Sequence, residues 1–189
     1  MNLRVLPKNW GIFVSLSFVL GSTNSMAQEG AAPPKWLLRE IQQVTAHGGR
    51  WVADNQEYQS ENEPYEAYVT VWTANAGGYT MHGRLFGIRS GQETPDFWQY
   101  RQYWHPGERR VVLEQFGWGV TVGIGRVWQE GDSTHSSQTF YRPGSPPRQE
   151  GHKTQYIDED TKTTESFSIE EGQWLPQRNY TWHRDRKSE

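Results

Sequence analysis

Turn-forming residues recur every 10–15 positions from Arg50 almost to the end of the chain, and this spacing restricts the fold more than any other feature. The turns are clusters of Gly, Pro, Asn and Asp, such as Asn75-Ala76-Gly77-Gly78 and Glu130-Gly131-Asp132, and most have the length of a hairpin loop. The pattern predicts ten strands between them: 50–59, 65–74, 79–89, 97–105, 109–117, 120–129, 133–142, 148–157, 161–170 and 173–183.

The connections between these strands are too short for parallel pairing. A parallel crossover takes a dozen or more residues, usually as a helix, and no helix-length apolar pattern interrupts the series. Successive hairpins form an antiparallel meander, and such a sheet usually closes because closure removes its two exposed edges. The sequence therefore predicts an all-β fold over residues 49–184, an antiparallel up-and-down barrel of about ten strands.

One helix is predicted before the barrel. Trp36, Leu37, Ile41 and Val44 are spaced as on one helix face, and Gly48-Gly49 ends the pattern. We therefore expect a short amphipathic helix over residues 35–48, packed on one end of the barrel. A charged tail, residues 185–189, follows the last strand.

The first 27 residues have the pattern of a signal peptide. Arg4 and Lys8 precede the apolar run Trp10–Leu20, and Ser25 and Ala27 provide the small residues of a cleavage site before Gln28. A membrane span needs roughly 20 apolar residues, which this run does not reach. We therefore predict export to the periplasm or the extracellular space, no integral membrane span, and a linker over residues 28–34.

Composition excludes several classes of protein. The chain has no cysteine, which excludes a disulfide scaffold, a zinc ribbon, an iron–sulfur cluster and a thiol nucleophile. With 19 basic and 22 acidic residues, its net charge of −3 argues against nucleic acid as a partner, because phosphate backbones are bound by basic surfaces.

Aromatic residues indicate what fills the barrel. After residue 27 there are 23 Trp, Tyr and Phe but only 19 Val, Ile and Leu, whereas a dry core relies on branched aliphatic side chains. A barrel of about eight strands is already wide enough for a small ligand. The sequence therefore favours a cavity lined by aromatic and polar side chains, with a barrel filled by large aromatics as the alternative.

Four stretches of the chain resemble a known group of proteins. They are Phe97-Trp98-Gln99-Tyr100-Arg101-Gln102-Tyr103-Trp104, Val111-Val112-Leu113-Glu114-Gln115-Phe116-Gly117, Thr139-Phe140-Tyr141-Arg142-Pro143-Gly144, and Trp174-Leu175-Pro176-Gln177-Arg178-Asn179-Tyr180-Thr181-Trp182. In these stretches the chain resembles the lipocalin-like (short calycin) barrels secreted by bacteria. Gly49-Arg50-Trp51 also matches the Gly-x-Trp signature that opens true lipocalins. The resemblance implies a barrel and brings no particular activity with it.

Local motifs for catalysis or metal binding are absent from the sequence. The six histidines show none of the spacings of metal-binding pairs, and no Gly-x-Ser-x-Gly elbow is present. Gly123-Ile124-Gly125 lies within a predicted strand, and its glycines are expected to permit either a bend of the barrel or close packing of a neighbouring aromatic side chain. The sequence indicates no cofactor, no metal and no catalytic residue.

Arg178 and Tyr180 are the first candidates for ligand binding. Two residues apart on the last strand, they point to the same face and could reach one anion. The pair resembles the arginine and tyrosine on the last strand of intracellular fatty-acid-binding barrels. Trp174 and Trp182 are expected to share their face. Weaker candidates of the same kind are Arg101 and Tyr103, His82 and Arg84, Glu114, Trp128 and Tyr141.

Together these observations predict an exported, lipocalin-like binding protein. It would hold a small apolar or amphipathic molecule, with an acid among the candidates, in an aromatic-lined barrel. Two alternatives remain open: an isomerase, cyclase or hydrolase that uses the same cavity, and a structural envelope protein with a filled barrel.

Overall fold

The computed structural model describes residues 32–186 of the chain. One α-helix and eleven strands have these bounds: α1 Lys35–Thr45, β1 Arg50–Asp54, β2 Ala67–Asn75, β3 Thr80–Arg89, β4 Gln92–Glu93, β5 Trp98–His105, β6 Arg110–Gly117, β7 Thr121–Glu130, β8 Ser133–Tyr141, β9 Arg148–Tyr156, β10 Thr161–Glu170 and β11 Gln173–Arg184. The predicted signal peptide, most of the predicted linker and residues 187–189 of the predicted tail lie outside the described residues.

Ten of the strands close into an antiparallel barrel. Each pairs with its neighbours along the chain, and β11 returns to pair with β1, where Trp51 lies opposite Arg184. The two-residue β4 stands outside this ring and pairs only with the end of β3. The predicted antiparallel up-and-down barrel of about ten strands with one short helix is therefore confirmed.

The first strand is shorter than predicted. β1 ends at Asp54, whereas the sequence pattern extended it to residue 59, and a 3-10 turn occupies Gln56–Tyr58. The Asp54 carboxylate accepts a hydrogen bond of 2.8 Å from the Gln56 backbone N–H. This short-range side-chain bond offers the backbone an alternative to the sheet and turns the chain across the end of the barrel.

Helix α1 plugs one end of the barrel, which we call the closed end. Leu37, Ile41 and Val44 form its buried stripe and pack in one core cluster with Trp51 and Trp182. The Trp51 indole N–H donates to the Val44 carbonyl at 2.9 Å. Helix α1 ends at Thr45, three residues before the predicted end, and a 3-10 turn over Ala46–Gly49 leads into β1.

A bulge in β11 changes the face on which its side chains lie. Ser166 of β10 pairs with Arg178, but the next residue, Phe167, pairs with Pro176, so Gln177 is left over. One extra residue reverses the alternation of inward and outward side chains. Arg178 therefore faces the interior, whereas Trp174 lies outside. The prediction that Trp174 shares a face with Arg178 and Tyr180 is wrong.

The glycine pair in β7 is explained by close packing. A Cβ on Gly123 would collide with the ring of Phe140, and a Cβ on Gly125 would collide with the backbone carbonyl of Ser137 on the paired strand β8. The predicted close approach of an aromatic side chain is confirmed at Gly123.

Within residues 32–186, no helix has the length and apolar character needed to cross a membrane.

Candidate functional site

The barrel encloses a cavity of about 1430 Å³. Val44 and Glu40 of α1 line its closed end, and the exposed residues Arg142, Ser145 and Pro146 lie at the other end, which we call the mouth. Such a volume is above the usual range for pockets that bury drug-sized ligands. The barrel is therefore hollow and accessible from one end.

Aromatic side chains line the cavity over its whole depth. Near the mouth are Tyr65, Phe97, Trp98, Trp118 and Phe140. Further in, Trp72 and Tyr100 stack with their ring centroids 5.3 Å apart. Aromatic faces of this kind bind the flat or apolar parts of a ligand.

The middle of the cavity contains a buried amide without a partner. Gln138 on β8 faces inward at 2% exposure, and neither its amide oxygen nor its amide nitrogen has a hydrogen-bond partner among the residues described. Leaving a buried amide unsatisfied costs about 1–3 kcal/mol. Gln138 can therefore offer one donor and one acceptor to a molecule in the cavity.

Glu40 brings a carboxyl group to the closed end. It projects from the buried side of α1, and burial raises its pKa to about 7, although nearby Lys162, Gln102 and Thr134 favour its ionised form. In the described part of the chain its Oε2 forms no hydrogen bond. At neutral pH this carboxyl can therefore act as a donor or as an acceptor.

Lys162 faces the same end from β10. It is 7% exposed, and burial lowers its pKa to about 8, with opposing effects of Glu40 and Arg184. Its ammonium group lies 4.6 Å from the centroid of the Trp51 ring. Among residues 32–186 it forms no ion pair within 4.0 Å and no hydrogen bond, so aromatic rings are its main contacts.

His152 lines the middle of the cavity from β9. It lies opposite Ser136 of β8 and Ser166 of β10, and burial lowers its pKa to about 4. At neutral pH the imidazole is therefore uncharged, with one nitrogen as donor and the other as acceptor.

A network of hydrogen bonds crosses part of the mouth. The Arg178 guanidinium donates to both oxygens of Glu63, at 2.6 and 2.7 Å, and to the Tyr180 hydroxyl at 3.2 Å. Tyr68 donates to Glu63 at 2.6 Å, and Tyr180 donates to Asn55 at 2.8 Å. The Arg178 hydrogen bonds hold the pKa of Glu63 below its usual value. The network ties the segment between β1 and β2 to β11.

Two of the nine predicted ligand-binding residues face the cavity, and these are Arg178 and Tyr180. The other seven do not line it and lie on the outer face of the barrel, namely Arg101, Tyr103, His82, Arg84, Glu114, Trp128 and Tyr141. The sequence alone does not show which face of each strand points inward. On these strands, the residues at the alternate positions line the cavity.

The outward residues form contacts of their own. Glu114 accepts a hydrogen bond from Tyr103 at 3.2 Å and pairs with Arg101 at 3.1 Å. Trp128 stacks on His135, with ring centroids 5.6 Å apart. Arg84 lies 4.4 Å from the Phe86 ring centroid and pairs with Asp96 at 3.1 Å. These contacts stabilise the outer surface.

The sequence interpretation missed Glu40, Gln102, Gln138 and Lys162. One signal was present, because Glu40 interrupts the apolar stripe of α1 between Leu37 and Val44. Gln102 and Gln138 gave no such signal, since a glutamine that alternates with other polar residues is equally typical of an outer face.

In the described range, no group of three or more His, Asp or Glu side chains is placed to hold a metal ion. No known family model matches the chain, and no curated protein matches it either. The fold and the cavity are therefore the basis for any functional assignment.

Proposed function

We propose that this chain is an exported, lipocalin-like protein that binds a small amphipathic molecule inside its barrel. The observation that carries the proposal is the Gln138 amide, buried beside a cavity of about 1430 Å³ with both polar atoms unpartnered. Buried polar groups in native proteins are almost always satisfied. A ligand with hydrogen-bonding groups would satisfy this one.

The lining supports an amphipathic ligand over a purely apolar one. Aromatic rings such as Tyr65, Phe97 and Trp98 line the cavity near the mouth, and the deeper wall carries Thr70, Gln102 and Gln138 between further rings. An apolar body would contact the rings, and a polar group would reach the amides and hydroxyls. A filled structural barrel is not supported, because a barrel of that kind would have no cavity of this size.

The binding test uses N-phenyl-1-naphthylamine, a neutral aromatic molecule with one N–H donor that fluoresces in apolar surroundings. We expect it to bind with increased fluorescence. Gln138→Leu should weaken this binding about tenfold, the effect of losing one hydrogen bond inside an apolar cavity.

The matched control is Gln129→Leu, the same substitution at an exposed position on the adjacent strand β7. It should bind the probe as well as the unmodified chain does. No fluorescence change with the unmodified chain, or equal loss in both variants, would contradict the proposed function.

Export is supported by the residues at the N-terminus. The basic residues Arg4 and Lys8, the apolar run Trp10–Leu20 and the small residues Ser25 and Ala27 are typical of a signal peptide. N-terminal sequencing of the exported protein should begin at or near Gln28. A soluble protein that retains Met1 would contradict export.

A further inference from the structure

The closed end of the cavity carries a buried positive charge, Lys162, which Glu40 stabilises from beyond ion-pair distance. The Lys162 side chain is more than nine-tenths buried, it lines the cavity, and within residues 32–186 its ammonium group has no carboxylate within 4.0 Å. Burying an unpaired charge is expensive, and the usual solution is a partner of opposite charge. The cavity is the side from which such a partner could arrive.

Two neutral donors lie at the same end. The Trp182 indole nitrogen is buried at 6% exposure, and Trp182 is the direct cross-strand neighbour of Lys162. The Gln102 side chain, 4% exposed, can donate to Glu40 and has a second amide N–H to offer. Gln102 lies beside Glu40, which in turn is close to Lys162.

The electrostatic surroundings favour an anion at this end. Arg184 also lies near Lys162, where its positive charge lowers the pKa of the lysine, although its guanidinium is paired with Asp160 at 3.0 Å. Glu40 is the acidic group that acts on Lys162, and its raised pKa means that it readily takes up a proton. A protonated Glu40 would add a further donor at its unpartnered oxygen.

Arg178 is unsuited to this role, although it faces the cavity. Its guanidinium already donates to both oxygens of Glu63. A bidentate pair of this kind satisfies the positive charge, so a ligand carboxylate at Arg178 would have to displace Glu63. The mouth therefore offers no unpaired charge at this position.

We propose that the closed end is a carboxylate-binding site, in which Lys162, Trp182 and Gln102 donate to the acid group of a ligand that enters the barrel acid end first. The proposal rests on the proposed function, since it assumes that the cavity is occupied, and it specifies the ligand as an amphipathic acid. The apolar part would lie among the aromatic side chains toward the mouth.

The test compares decanoate with 1-decanol at pH 6.5, where Glu40 is mainly protonated and Lys162 is charged, by displacement of N-phenyl-1-naphthylamine. Lys162→Met keeps the length of the side chain and removes its charge. It should weaken decanoate binding ten- to a hundredfold, the effect of losing a charged hydrogen bond, and leave decanol binding within about twofold.

A second, milder variant tests the same site if Lys162→Met does not fold. Trp182→Phe removes the indole N–H and keeps a ring in the core, and it should weaken decanoate binding about three- to tenfold with decanol unchanged. The matched control is Lys153→Met on β9, where the lysine pairs with Glu165 at 4.0 Å outside the cavity. Its binding of both molecules should equal that of the unmodified chain.

The outcomes separate this proposal from the proposed function. If the probe and decanol bind but Lys162→Met loses no affinity for decanoate, the carboxylate site is wrong and the binding function stands. If Arg178→Gln, and not Lys162→Met, selectively weakens decanoate binding, the carboxylate is bound at the mouth. That result would also contradict the proposed site. If the probe itself does not bind, the proposed function fails.

Discussion

His152 shows how a single buried side chain can set the pH dependence of stability. Burial lowers the pKa of its imidazole from about 6.5 in the unfolded chain to about 4 in the folded one. Between these values the unfolded chain binds more protons than the folded chain. The contribution of His152 is therefore present above pH 6.5 and is lost as the pH falls toward 4.

We predict that His152→Gln makes the protein less sensitive to acid. Between pH 7 and pH 4.5 the unmodified chain should lose about 1–2 kcal/mol more of its free energy of unfolding than the variant does. Glu40 has the opposite effect on stability, because its raised pKa favours the folded state at low pH. Both proteins contain Glu40, so its contribution cancels in the comparison. Urea unfolding at the two pH values provides the measurement.

His183→Gln is the control for this prediction, because His183 is exposed on β11. The acid sensitivity of this variant should match that of the unmodified chain. If His152→Gln and the unmodified chain lose the same stability in acid, the imidazole is not held neutral by burial.

Residues of the site differ in how well the sequence predicts them. Arg178 and Tyr180 were predicted because a charged residue and a tyrosine two positions apart suggest a shared face, and both do line the cavity. Lys162 lies between Thr161 and Thr163 in a polar strand, a setting that is also typical of an exposed lysine. Its burial follows from the register of β10 against β9 and β11, which depends on residues far away in the sequence.

At the scale of the elements, Arg184 joins the helix to the barrel. Helix α1 has no basic residue in its last turn, and Arg184 of β11 donates to the carbonyls of Gln43 and Ala46, at 2.9 and 2.6 Å. The guanidinium also lies 4.1 Å from the Trp51 ring centroid. A positive charge beside the last carbonyls of a helix stabilises it, so Arg184 holds α1 at the closed end.

We predict that Arg184→Lys lowers the free energy of unfolding by about 2–3 kcal/mol. Lysine keeps the charge, but its single ammonium cannot replace a planar group that reaches several acceptors in fixed directions. The carbonyls left without a donor are partly buried, and that adds to the loss. Denaturant unfolding followed by tryptophan fluorescence would measure it.

The matched variant for this test is Arg186→Lys. Arg186 pairs with Asp160, the same carboxylate that Arg184 contacts, but it is exposed. Exposed ion pairs contribute little, so a loss below about 0.5 kcal/mol is expected. Similar losses in the two variants would show that the contacts of Arg184 with the helix carbonyls do not add to stability.

The positions of the strands were predicted more accurately than the direction in which their side chains point. The turn residues that separate the strands act locally, so they could be read directly from the chain. The bulge at Gln177 could not, because it appears only in the pairing of β11 with β10. The neighbouring Pro176 was a partial signal, since proline within a strand often accompanies a bulge or an edge.

For the whole molecule, the closed ring of strands explains why the fold class could be predicted when the site could not. Hairpins between consecutive strands require local pairing only, and a single long-range pairing, β1 with β11, completes the barrel. The cavity, by contrast, depends on which side of the sheet curves inward. Aromatic side chains lie on both sides, with Trp72 inside and Trp128 outside, so composition gave no answer.

The closing pair of strands should be sensitive to proline, whereas the strand outside the ring should tolerate it. Val52 lies at the centre of β1, between Val69 of β2 and His183 of β11, so it has a neighbouring strand on each side. Proline there removes a backbone donor and would open the barrel at its closing pair, exposing two strand edges that can associate. We therefore predict that Val52→Pro lowers the free energy of unfolding by about 3 kcal/mol or more and produces oligomers on size-exclusion chromatography. Gln92→Pro, in the exposed strand β4 outside the ring, should stay monomeric and lose less than about 1 kcal/mol. A monomeric Val52→Pro protein as stable as Gln92→Pro would mean that the β1–β11 pairing does not hold the barrel closed.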